Sequence, residues 1–161
     1  MDSRNQLAEA ILHGWKINNL VDIKLLNTLV PTIWSQRVPG YQRKTVRMIG
    51  AHMHNCRCYW IKVLGRKWKI KAPTSVNEHQ VSTEELITAL NKSSKAMEEL
   101  LRTGLQNQDT LPGFPLGAVH FAQYMISHEA HHRGQLIMAS RQLGHPLPVN
   151  ESGKLWQWSR L

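Results

Sequence analysis

The sequence predicts an all-α fold, a four-helix bundle, on three observations. Four stretches repeat apolar residues at helical spacing. Clusters of Pro and Gly separate those stretches. No segment keeps the apolar–polar alternation of a half-buried strand.

The first helix is expected over about residues 5–30, with Leu7, Ile11, Trp15, Leu25, Leu26 and Leu29 at helical spacing and Pro31 as its stop. After Pro39-Gly40, a second runs over about 42–64 to Gly65. The third, about 82–105, opens on Ser82 and Glu85, the Ser-x-x-Glu pattern in which each end caps the other's backbone N–H. It carries Leu86, Leu90, Met97, Leu101 and Leu105. Pro112-Gly113 precedes the fourth helix, about 116–143, which Gly144 and Pro146 close. An irregular tail is expected over 144–161. Helices of this length in a small protein pack as a bundle, whose interior sites are built from side chains on facing helices.

The 161 residues suit one domain spanning 1–161, and 42% hydrophobic content is enough for a core. No stretch approaches the roughly 18 apolar residues of a membrane span. The opening MDSRNQLAEA has an acid at position 2 and no apolar run behind a basic start, so no secretory leader is expected. The only cysteines, Cys56 and Cys58, would point about 160° apart on a helix and cannot easily bridge. A reduced, cytoplasmic protein follows as the expectation.

The formal net charge is +9, and it is unevenly placed. From Ile23 to Lys71 there is no Asp or Glu, while Arg37, Arg43, Lys44, Arg47, Arg57 and, beyond Arg57, five further cations up to Lys71 fall there. Nucleic acid, a membrane surface or an anionic small molecule could use such a segment; a solvated helix face with a basic loop is the plainer reading. No RNA-binding, zinc-finger or helix-turn-helix pattern accompanies it, which leaves nucleic acid as a runner-up.

Nine histidines are present, and those of the fourth helix carry the chemistry. His128 and His132 are four apart, stacked on a face that also holds Phe121, Met125, Leu136, Ala139 and Leu143. Imidazoles aimed into an apolar stripe need partners, and one metal ion satisfies both. The competing reading is two core histidines, each bonded to a neighbour. His131 lies about 60° aside and is not chosen. A third ligand must come from another helix. In the second helix, the stripe Val46, Ile49, Met53, Trp60 and Val63 places His52 and Cys56 within or beside it. His54 and Cys58 fall opposite, with the charged residues. The expected ligands are therefore His52, His128 and His132, with Cys56 read as a small core residue, a fourth ligand or a thiol near the metal.

His128-Glu129-Ala130-His131-His132 also matches the short HExxH pattern of zinc proteases, with Glu129 as general base. Its extended form needs Gly where Gln135 stands, and the only later glutamate is Glu151, beyond Gly144 and Pro146. The protease reading is set aside.

The segment His128-x3-His132-Arg133-Gly134-Gln135, with an earlier helix bearing a His, Asn55 and Trp60, resembles the DinB/YfiT-like superfamily. Gly50-Ala-His-Met-His-Asn, Leu143-Gly-His-Pro-Leu-Pro and the end Leu155-Trp156-Gln157-Trp158 are similar too, so the likeness spans almost the whole chain. The resemblance implies an up-down-down-up bundle with a long link, about 65–81 here, between helices two and three. It implies a divalent metal, zinc or nickel, on three histidines, which by motif position are His52, His128 and His132. It also implies a homodimer, for which a second stripe on helix four, Val119, Ile126, Ala130 and Ile137, offers a surface. The implied activity is a metal-dependent thiol-S-transferase acting on a small-molecule substrate, with a low-molecular-weight thiol as cofactor. The alternatives are a metal-dependent hydrolase and a non-catalytic metal-binding stress-response protein. A basic surface favours an anionic thiol.

Overall fold

A computed structural model describes residues 3–108 and 110–160. Helix α1 (Ser3–Thr28) leads to a hairpin of β1 (Arg37–Val38) and β2 (Tyr41–Thr45), then to α2 (Val46–Leu64), α3 (Thr83–Asn107), α4 (Gly117–Gln142) and a short α5 (Val149–Lys154). Single 3-10 turns lie at Pro31–Ile33, Gly65–Trp68 and Trp158–Arg160. The fold is mostly helical, four long helices with one small two-stranded sheet.

The capping pattern at Ser82 forms in full: its hydroxyl accepts from the Glu85 backbone N–H, and the Glu85 carboxylate accepts from the Ser82 N–H. Two expectations need correcting. The second helix begins at Val46, not near residue 42, because Tyr41–Thr45 pairs antiparallel with Arg37–Val38 around Gly40, whose φ is +76°. Thr45 then caps α2, its hydroxyl accepting from the Met48 N–H. The tail, expected to be irregular, folds into α5 and a final turn, and buries Leu155 against the core.

Cross-helix contacts give the relative directions. Trp15 Nε1 donates to the Ser94 carbonyl and Asn19 to Asn91, so α1 and α3 run antiparallel. Gly50 packs by Leu86 and His54 reaches Ser93, so α2 and α3 run parallel. Asn18 meets Glu129 and Asp22 meets Arg133, which makes α1 and α4 parallel. Trp60 packs on Phe121 while His52 faces His132, which makes α2 and α4 antiparallel.

Two apolar clusters fill the bundle. One centres on Leu25, Ile33, Met53, Leu86 and Leu136, the other on Leu12, Trp15, Ile61, Met97 and Phe121. Between them lies a buried polar layer of Asn18, Asn19, Asp22, Arg57, Ser93 and Glu129, drawn from all four long helices. The second stripe of α4 is largely used within the chain. Ile126 and Ile137 pack half-buried on the two clusters, and Ala130 borders a cavity, so this stripe does not by itself call for a second copy. Among the described residues no helix is long and apolar enough to cross a membrane.

Candidate metal centre

Helices α2 and α4 each present a pair of donor residues one turn apart: His52 and Cys56 on α2, His128 and His132 on α4. Because the helices are antiparallel neighbours, the pairs face each other. The Nε2 atoms of His52 and His128 are 3.4 Å apart, and those of His132 and His128 3.1 Å. The His52 and His132 rings have centroids 4.7 Å apart. The structure thus brings the three predicted histidines together. Donor atoms of His52, Cys56 and His128 all lie within 4.8 Å of one another, a group able to hold a metal ion; His132 is not one of that group and meets it through His128.

Hydrogen bonding decides which way the nitrogens face. Gln135 Oε1, a carbonyl oxygen, lies 2.7 Å from His132 Nδ1 and can only accept, so Nδ1 carries the proton and the Nε2 lone pair points at the other rings. The amide of Gln135 is held in turn by His131, whose Nε2 accepts from it at 3.0 Å. His131 therefore stands one step behind the cluster. A single proton on His128 Nε2 can point along one of its two contacts but not both, whereas a cation accepts all three lone pairs together. The 3.1 and 3.4 Å spacings compare with the roughly 3.4 Å edge of a tetrahedron whose metal–nitrogen bonds are about 2.0–2.1 Å. Among the described residues His128 Nδ1, which is buried, has no hydrogen-bond partner.

Burial lowers all three imidazoles from their ordinary value. Lys44 adds its charge at His52, and His52 does so at His128. At His132 burial outweighs the favourable Gln135 contact and brings the value down to about 4. The rings are thus neutral near pH 7, the form that binds metal. The Cys56 thiol is pushed up to about 11 by burial and by the Glu129 charge, against a hydrogen bond from Trp60. Tyr124 stacks on His128 with its ring inclined by 20°.

A cavity of about 750 Å³ opens beside the cluster. His52, His131 and His132 line it, Met48, Ile49 and Met138 form apolar walls, and the hairpin contributes Tyr41 and a half-buried Lys44.

Two sequence expectations are overturned next to the site. His54 and Cys58 are not on a solvated face: both are buried. His54 Nε2 donates to the Thr74 carbonyl at 3.1 Å, Nδ1 lies 3.0 Å from Ser93 Oγ, and Cys58 Sγ lies 3.3 Å from Nε2. The segment after α2 covers this face, pinned where Asn55 pairs with both the N–H and the carbonyl of Val76. Arg57, counted with the surface charge, is likewise wholly buried. It donates to Asn19, Asp22, Glu129 and the Leu90 carbonyl. Glu129, the would-be protease base, is spent in that network: burial alone would raise its carboxyl, but Arg57 beside it holds it below the usual carboxylate value.

The fold and site define a four-helix protein with a histidine-rich, metal-capable cluster beside an apolar cavity. The chain belongs to the DinB family, which it matches over residues 1–158. Comparisons with curated proteins and with solved structures give no match.

Proposed function

We propose that His52, His128 and His132 hold one divalent metal ion, zinc or nickel, and that the protein is a metal-dependent transferase acting on a low-molecular-weight thiol. The observation that carries the reading is the convergence of three neutral imidazole nitrogens, one of them fixed inward by Gln135. When bound, the metal supplies a Lewis acid that stabilises a thiolate at neutral pH. The chain's own residues do the rest. His52 and His132 face the cavity, Met48, Ile49 and Met138 keep water off an apolar thiol body, and Lys44 offers a cation to an anionic group.

A hydrolase on the same ligands is the second reading. It calls for a carboxylate near the metal to take a proton from water. Among the described residues no carboxylate lines the cavity, and Glu129 is committed to Arg57, which favours the transferase. The cross-helix pairings described above support the up-down-down-up order of helices.

The test is elemental analysis and zinc titration of protein prepared without a polyhistidine tag, followed by assay of the zinc-loaded protein with small thiols and electrophilic acceptors. About one metal per chain and thiol consumption that stops on chelation are expected. Failure to take up zinc or nickel overturns the site. Metal uptake without turnover of any thiol leaves a non-catalytic metal-binding protein.

A further inference from the structure

We infer that Cys56 is a fourth metal-ligating side chain, so that the centre offers three nitrogens and one sulfur; this rests on the three-histidine reading above. The argument begins with helix geometry. A ligand pair one turn apart is how one helix presents two donors to one ion, and α4 does this with His128 and His132. Helix α2 repeats the device: Cys56 stands one turn beyond His52 and on the same side. Its sulfur shares a neighbourhood with the His52 and His128 nitrogens, all three donor atoms lying within 4.8 Å of one another.

Two further observations set Cys56 apart from a space-filling cysteine. It is only half-buried, and its sulfur sits beside ring nitrogens and the Trp60 side chain. An indole has only an N–H to offer, so Trp60 beside Cys56 can act toward its sulfur only as a donor. A metal-bound thiolate accepts such a bond readily. Cys58 is the contrast. It is buried, and its neighbour His54 Nε2 already donates to Thr74, which leaves that nitrogen no lone pair for a metal.

His52 and His132 line the cavity whereas Cys56 does not, so with the sulfur bound a substrate thiol would take a fifth position on the cavity side. On coordination the S–H bond is exchanged for a sulfur–metal bond and the proton leaves to solvent. A thiolate among imidazoles shifts preference toward zinc, cobalt and nickel and away from magnesium and manganese.

The experiment loads the untagged, metal-free protein with cobalt(II) and records its absorption, then follows alkylation of each cysteine by peptide mass with and without zinc. Expected are one cobalt per chain with an intense near-ultraviolet thiolate-to-cobalt band, and zinc protection of Cys56 but not of Cys58. Cys56→Ala loses the band yet still takes up cobalt, while Cys58→Ala keeps the band. Cobalt uptake without the band, or equal alkylation of Cys56 with and without zinc, overturns the sulfur ligand and leaves the three histidines standing. No uptake by the wild type overturns both. Should Cys56→Ala fail to fold, the band and the alkylation pattern of the wild type decide alone.

Discussion

Arg57 and Glu129 meet in the middle of the bundle, with Nε 2.6 Å from Oε1 and Nη2 2.8 Å from Oε2, and neither side chain is exposed. Five hydrogen bonds leave this guanidinium, to α1 through Asn19 and Asp22, to α3 through Leu90 and to α4 through Glu129. One residue of α2 thus ties all four long helices together. Glu129 directly follows His128, so the same bonds fix the rotation of α4 that brings His128 and His132 to face His52.

Breaking a buried pair by removing one partner strands a charge, which costs about 3–5 kcal/mol. Glu129→Gln should therefore destabilise strongly in urea unfolding. Asp22 should behave differently. Burial and the Glu129 charge raise its carboxyl well above the ordinary 3.8, although Arg57 and Arg133 pull it down. The unfolded chain loses that proton above about pH 3.8, while the fold retains it. The stabilisation is thus full below the unfolded value and is lost as pH rises toward the folded one. Asp22→Asn mimics the protonated form and removes this slope, so its stability relative to wild type should improve as pH rises from about 4 toward the folded value. A penalty that instead grows over that interval would show that Asp22 is ionised in the fold.

The two helix-two histidines should separate in a single comparison. His52→Ala should abolish tight zinc binding and leave the unfolding midpoint nearly unchanged in the metal-free protein. His54→Ala should keep zinc and lose stability, because the Thr74 carbonyl is left without its partner at a cost of about 1–3 kcal/mol. Zinc titration paired with urea unfolding reads both effects. Loss of zinc in His54→Ala with retention in His52→Ala would assign the ligand to the wrong face of α2.

Why His54 looks exposed in the sequence and is buried in the protein is a matter of what sits at the centre of the buried face. The buried residues of α2 include Val46, Gly50, Met53, Arg57, Ile61 and Leu64, a regular helical series with an arginine in its middle. An apolar count gives Arg57 no weight inside, so it rotates the apparent stripe toward Trp60 and Val63, and Val63 is in fact exposed. His52 survives that error because it lies at the edge of either stripe. The partners that bury Arg57 are 35 and 72 residues away, beyond any local pattern. The hairpin escapes notice for another reason: Tyr41–Thr45 is short and polar, held by a turn and two neighbouring residues. By contrast α3 is legible to within a few residues because its start is written locally, in Ser82 and Glu85.

Gln135 should act on the metal through His132. Its carbonyl oxygen holds the Nδ1 proton and so keeps Nε2 free to ligate. Loss of such a partner typically weakens metal affinity about 10–100-fold. Gln135→Leu should show a loss of that order in chelator competition. Gln135→Glu, which still accepts from Nδ1, should stay near wild type. Equal affinity in wild type and Gln135→Leu would mean that packing alone orients the ring.

Lys44 supplies the clearest handle on the substrate. It stands on β2, half-buried at the cavity that His52 and His132 line, and its charge is felt at His52. Met48, Ile49 and Met138 make the walls apolar, so a ligand that fits has a hydrocarbon body, a thiol for the metal and an anionic group for the lysine. A hydrogen bond to a charged group contributes about 1.5–3 kcal/mol, which corresponds to roughly 10- to 150-fold in affinity. The zinc-loaded protein should bind 6-mercaptohexanoate at least about tenfold more tightly than 6-mercaptohexanol, a pair of probes matched in length. Lys44→Gln should erase that preference by weakening the carboxylate alone, with the alcohol unaffected. Calorimetry on the two thiols with both proteins measures all four affinities. If Lys44→Gln weakens both thiols equally, the lysine serves the shape of the cavity and not the charge of its ligand.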